Sequence, residues 1–176
     1  MSDILLTNGE VFDKLDTHRL GLQHYAFSVF LFDRHNKLLI QKRAKNKYHS
    51  GGLWSNSCCS HFRNKNEFQN KDLAIKQRIA EELGIIYTDE LKFIDIFTYK
   101  TNVGAVIENE IDYIFTGLIN DDINIYFNQD EVENIKFLSI HDLLKDIKCN
   151  SNKYTEWFKK ILSNKEILTK LYNTLM

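Results

Sequence analysis

The chain contains no proline at all; alongside abundant Asn, Lys and Ile this reflects genome composition and excludes no function. Other absences exclude more. Three cysteines, two of them adjacent, make a poor disulfide framework and fit a reducing cytosol better. No run of about 18 apolar residues occurs, which excludes a spanning helix. The first residues, Met1-Ser2-Asp3-Ile4-Leu5-Leu6, lack both a basic start and a long apolar core, so no signal peptide is expected and the cytoplasm is the expected location. Lys and Arg total 23 against 24 for Asp and Glu, a net charge of -1, so no global field draws the chain to nucleic acid or to an anionic membrane, and neither is expected as a partner. Any anionic ligand must be held by local charges. No linker, repeat or low-complexity tract divides the 176 residues, which fit one domain, 1–176, with a substantial core.

What is present reads as alternating strands and helices. Asn8-Gly9 supplies the positive φ angles of a tight turn between apolar runs at 4–7 and 10–12, a β-hairpin. Strands are predicted at 25–32 and 37–42 around a turn at 33–36, and again at 91–100, 107–118 and 134–138. The clearest helix is 70–83: Asn70 can cap it, Ile75, Ile79 and Leu83 form its apolar stripe, and Gly84 suits its stop. Ser139 with Asp142 resembles a capping box for a helix over 141–147, and helices over 151–162 and 165–175 follow. The pattern is α/β (α+β): a mixed sheet between helical layers, with an N-terminal hairpin and C-terminal helices.

Chemistry gathers at five places. In Trp54-Ser55-Asn56-Ser57-Cys58-Cys59-Ser60-His61 an extended backbone turns Cys59 and His61 to one side and Cys58 to the other, so a thiol and an imidazole can share a pocket. His18 and His24 share a side if their segment is extended. Arg43 and Lys47 begin a basic loop ending in Gly51-Gly52, which is either a solvated loop or an anion clamp. Glu108 and Glu110 share a sheet face and repel unless a metal or a shared proton lies between them. Arg78 and Glu82, four apart on a helix, are neighbours and by default an exposed ion pair. His35, His49 and His141 are expected at the surface, Cys58 in the core, and Cys149 without a partner.

The motifs His24-Tyr25-Ala26-Phe27-Ser28, Trp54 to His61, Glu81-Glu82-Leu83-Gly84-Ile85 and Glu108-Asn109-Glu110, in this order and spacing, resemble the type I isopentenyl-diphosphate isomerases, members of the Nudix superfamily. The likeness is clear from His18 to Glu110 and looser to Trp157. It implies a Nudix-like fold and the interconversion of isopentenyl and dimethylallyl diphosphate by acid–base proton transfer in isoprenoid biosynthesis. Carried over residue by residue, it implies Cys59, Glu110 and Tyr99 as catalytic groups. His18, His24, His61, Glu108 and Glu110 become ligands of a divalent metal, Mn²⁺, Zn²⁺ or Mg²⁺, and Glu82 a link to a Mg²⁺ carried with the diphosphate. Arg43, Lys47 and Arg78 become diphosphate contacts, and Trp157 faces the hydrocarbon end. The partner is then a small-molecule diphosphate, and the enzyme a monomer or weak dimer. The chain departs from the family in Phe62, where many relatives have proline, in a His18–His24 spacing one residue shorter than in some members, and in a longer loop over 62–69.

Two other readings compete. A Nudix pyrophosphohydrolase acting on a nucleoside diphosphate derivative needs a carboxylate-rich box holding several Mg²⁺ ions, but here Gln77 and Arg78 stand where that box has Arg-Glu. A binding domain with a structural zinc needs close Cys or His pairs of the Cys-x2–4-Cys kind, and none is present.

Overall fold

A computed structural model of the protein describes residues 3–120 and 122–175, so Met1 and Ser2 lie outside the described residues. The expected hairpin forms, with β1 (Asp3–Leu5) antiparallel to β2 (Val11–Asp13); of the turn dipeptide only Gly9 takes a positive φ, +87°. The next segment is not extended, the condition under which His18 and His24 would share a side. Asp13 accepts from the amides of Leu15 and Asp16 and caps a helix, α1 (Lys14–Leu20). Gly21 ends that helix in the left-handed region at φ +64°, where an added Cβ would stand 3.1 Å from Ile107. His18 is therefore presented from a helix, and its distance from His24 is set by a helix end.

Strands β3 (His24–Phe32) and β4 (Lys37–Arg43) follow as predicted, and the central stretch supplies β5 (Trp54–Ser55) and β6 (Cys58–His61). Asn64 caps a short helix, α2 (Lys65–Gln69), where a loop was predicted. Then comes the expected long helix, α3 (Lys71–Leu83), closed at Gly84. Asn70 stands at its N-cap without a capping bond, because its side chain donates instead to the carbonyl of Asn66 at 2.9 Å. β7 (Lys92–Val103) and β8 (Val106–Leu118) pair antiparallel, and β9 (Val132–Ser139) leads to α4 (Ile140–Cys149), with the Ser139 hydroxyl accepting from the Asp142 amide. The helix predicted over 151–162 is broken. A 3-10 turn over Ser151–Lys153 gives way to extended Tyr154 and Thr155 before α5 (Glu156–Ser163). Tertiary contact overrides helical propensity there: the Thr155 amide donates to the Trp54 carbonyl at 2.9 Å. Helix α6 (Lys165–Asn173) is the last element.

The sheet is mixed, in the order β5-β4-β3-β8-β7, with β6 pairing to β3 and β9 to β4; β3 runs parallel to β8 and antiparallel to β4 and β6. Side chains alternate between its faces. Phe27, Val29 and Leu31 meet Ile75, Ile79 and Leu83 of α3, together with Cys58, which is fully buried as expected. Phe30 and Phe32 meet Leu143, Phe158 and Ile161 on the opposite face. Each such buried side chain contributes about 1.5–3 kcal/mol, which makes the central strands a firm floor. No helix among the described residues is long and apolar enough to cross a membrane.

Candidate active site

The face of β3 that carries Phe30 and Phe32 continues through Ser28 and Ala26 to His24, where apolar bulk gives way to small and polar groups. Ser28 stands opposite Cys59, and Ala26 opposite His61, in β6; His24 stands opposite Glu110 in β8. The two-residue period then places Cys59, His61, His24, Glu108 and Glu110 on one face. Helix α1 adds His18, and the five donor atoms of His18, His24, His61, Glu108 and Glu110 lie within 4.8 Å of one another.

Within this cluster His61 Nε2 is 3.0 Å from Glu110 Oε1, His24 Nε2 3.4 Å from the same oxygen, and His18 Nε2 3.5 Å from Glu108 Oε2. The Nδ1 atoms of His18 and His24 lie 2.6 and 2.9 Å from the carbonyls of Lys14 and Leu22, which can only accept. Each Nδ1 therefore carries a hydrogen, and each Nε2 faces a carboxylate. Burial holds His18 down to about 4 against the help of that Lys14 bond, so the ring is neutral near pH 7. His24 Nε2, although buried, has no hydrogen-bond partner among the described residues. Three imidazoles and two carboxylates so arranged fit a divalent cation.

The two carboxyls differ. Burial and the adjacent Glu110 charge push Glu108 up, whereas His24 and His61 hold Glu110 well below the usual range although burial opposes it. The Tyr99 hydroxyl donates to Glu110 Oε2 at 2.6 Å from the register position opposite it in β7. Cys59 lines the same cleft, and burial pushes its thiol up to about 12 although Arg43 pulls the other way.

At the polar end of the cleft stand Arg43, Lys47 and Arg78. Arg78 Nε pairs with Glu82 Oε1 at 2.8 Å, but Glu82 is buried, so this is not the exposed couple expected. Arg78 Nη2 also meets Glu131 at 2.9 Å, and Lys47 pairs with the same carboxylate. Glu82 Oε2 accepts from Gln41 Nε2 at 2.8 Å. Trp157, from α5, forms an apolar part of the wall; its indole donates to Asn56 Oδ1 at 3.3 Å, and the Arg43 guanidinium lies 5.2 Å from its ring.

Two residues join this set that the sequence reading did not place there. Lys14 lines the cleft, and burial together with Lys47, Arg78 and Arg43 lowers its ammonium to about 8. It escaped notice because α1 did: once Asp13 is read as a cap, Lys14 and His18 stand four apart on one helical face. His49 is a correction. Expected at the surface, its side chain is only 8% exposed, with Nε2 3.0 Å from Glu108 Oε1. Burial, with Arg43 next, lowers it to about 3. His35 and His141 are exposed, as expected, and Cys149 is a free cysteine, exposed.

A family model described as the NUDIX domain matches residues 22–158, which sets the class of the protein. Among solved structures, a MutT protein from Methanosarcina mazei superposes with a TM-score of 0.60 at 12% identity, over 86% of this chain and 94% of that one, a likeness of fold alone. The sequence is 39% identical over 150 residues to "Isopentenyl-diphosphate Delta-isomerase 2" of Aromatoleum aromaticum, covering 85% of this chain and 76% of the relative. It is 36% identical over 166 residues to the isopentenyl-diphosphate Delta-isomerase of Aliivibrio fischeri, covering 91% and 88%. The chain belongs to the isopentenyl-diphosphate Delta-isomerase family of Nudix-domain proteins.

Proposed function

We propose that the protein interconverts isopentenyl and dimethylallyl diphosphate for isoprenoid biosynthesis. We read it as one Nudix-like isomerase domain over 1–176, working in the cytoplasm as a monomer or weak dimer. The observation that carries this reading is the placement of a thiol, Cys59, and a carboxylate, Glu110, on strands either side of β3 and facing one cleft, where burial pushes the thiol up and the imidazoles hold the carboxyl down. Moving the double bond needs a proton added at one end of a three-carbon unit and another removed at its other end. The alkene electron pair takes up the incoming proton, leaving a tertiary carbocation-like centre. The C–H pair two carbons away then forms the new double bond as its proton passes to the base.

An acid and a base must therefore be present at once, and Cys59 and Glu110 meet that need, with Tyr99 hydrogen-bonded to Glu110. Each turnover leaves one group short of a proton and the other with one extra, so both reset through solvent. His18, His24, His61, Glu108 and Glu110 would hold one divalent ion, Mn²⁺, Zn²⁺ or Mg²⁺, whose charge would keep Glu110 ionised, and Glu82 would link to a Mg²⁺ carried with the diphosphate. Arg43, Lys47, Arg78 and Lys14 hold the diphosphate, whose oxygens take the place of Glu131 on Lys47 and Arg78. Trp157 faces the hydrocarbon end and steadies the transient cation by about 0.5–2 kcal/mol. The apolar wall limits water that would trap the cation as an alcohol.

Hydrolysis is the other reading of a Nudix fold, but Arg78 replaces a box carboxylate and spends its charge on Glu82. The test is incubation with isopentenyl diphosphate and Mg²⁺, beside nucleoside diphosphate derivatives. Dimethylallyl diphosphate without phosphate release is expected. Phosphate from the nucleotides with no isomer formed would replace the isomerase reading with the hydrolase one.

A further inference from the structure

His49 has no part in the ligand set, yet it touches both halves of the site. It lies in the loop between β4 and β5, and its ring turns inward. Nε2 is 3.0 Å from Glu108 Oε1, while the other oxygen of that carboxylate, Oε2, faces His18 Nε2 at 3.5 Å. Nδ1 lies 3.2 Å from the Ser50 hydroxyl. On the far side the ring meets Trp157 edge-on, with centroids 5.8 Å apart and planes at 83°.

We propose that His49 is a positioning residue that donates its Nε2 hydrogen to Glu108 Oε1, so that Oε2 alone is turned to the imidazole cluster, and that the same ring braces Trp157. Ser50 supplies the other half of the arrangement by donating its hydroxyl to Nδ1, which fixes the tautomer with hydrogen on Nε2. A carboxylate with both oxygens free can swing about its last torsion; with one oxygen held, it presents a single donor in one place.

The loop backbone is committed to this path. Ser50 has φ +52°, in the left-handed region that a residue with a side chain enters at a cost, and a Cβ on Gly51 would stand 2.5 Å from the carbonyl oxygen of Lys45. Arg43 Nη2 also reaches the His49 carbonyl at 3.4 Å. One side chain thus joins the candidate metal ligands to the wall that faces the hydrocarbon.

The assignment rests on reading the His/Glu cluster as a metal site, and the experiment separates the two. Chelator-treated protein is titrated with Mn²⁺ alone, free ion being read by electron paramagnetic resonance. The proteins compared are wild type, Glu108→Gln, His49→Gln, which keeps a hydrogen-bond donor of similar reach, and His49→Met, which keeps volume without one. His49→Ala, judged folded by circular dichroism, serves as a second variant without the donor. We expect Mn²⁺ affinity to fall about 10–100-fold in His49→Met and His49→Ala and to stay within a few-fold of wild type in His49→Gln. Wild-type affinity in His49→Met or His49→Ala, or equal losses in His49→Gln and His49→Met, would overturn the role of His49. Equal binding by wild type and Glu108→Gln would instead overturn the metal-site reading itself.

Discussion

The surroundings of Cys59 and Glu110 push them in opposite directions: burial near carboxylates raises the thiol, whereas two imidazoles hold the carboxyl down, with the Tyr99 hydroxyl donating to it. Cys59→Ala and Glu110→Gln should each lower turnover by about 10²–10⁴-fold with an unchanged circular dichroism spectrum. A near wild-type rate in either would remove that residue from the mechanism. Lys14 gives a pH dependence. Its ammonium titrates at about 8, so charge is present below that pH and is lost as pH rises through it. KM for the diphosphate should therefore climb about tenfold towards pH 9, the value of one charged hydrogen bond, while Lys14→Arg should keep it flat. A flat wild-type profile would argue against Lys14 as a diphosphate contact. The pairing of Cys59 with His61 was legible because a strand's period of two needs only local sequence. The inward turn of His49 was not, since it depends on loop contacts with Lys45, Ser50 and Glu108.

Among the elements, α1 does most for the site and was least legible. It has seven residues, Lys-Leu-Asp-Thr-His-Arg-Leu, too few for a periodic apolar stripe to stand out. The long helix α3 and the strands β3, β4 and β8 were visible through their patterns, whereas the break at residues 154–155 is imposed by Trp54, distant in sequence. Because α1 carries both Lys14 and His18, its cap bears on the proposed site. Asp13→Ala removes acceptors for two amides and should cost about 0.5–2 kcal/mol, lowering Tm by about 2–4 °C per kcal/mol. Thermal melts with and without Mn²⁺ should also show a smaller metal-induced gain than in wild type. An unaltered gain would mean that α1 does not hold a ligand.

At the scale of the whole molecule, the fold is shared with a MutT protein, and the fold by itself does not specify a reaction; the side chains placed on it do. A mixed sheet between helices followed from the alternation of patterns; the parallel pairing of β3 with β8 did not, because some eighty residues separate the partners that form it. With divalent metal held as proposed, a chelator should abolish isomerisation and Mn²⁺ or Mg²⁺ should restore it; full activity in excess chelator would count against both ions. The most direct test of the proton-transfer account is turnover of isopentenyl diphosphate with Mg²⁺ in deuterated water, for wild type and Cys59→Ala. The account predicts dimethylallyl diphosphate carrying solvent deuterium from the wild type and none from the variant. No product and no exchange from wild-type protein with its metal site loaded would contradict it.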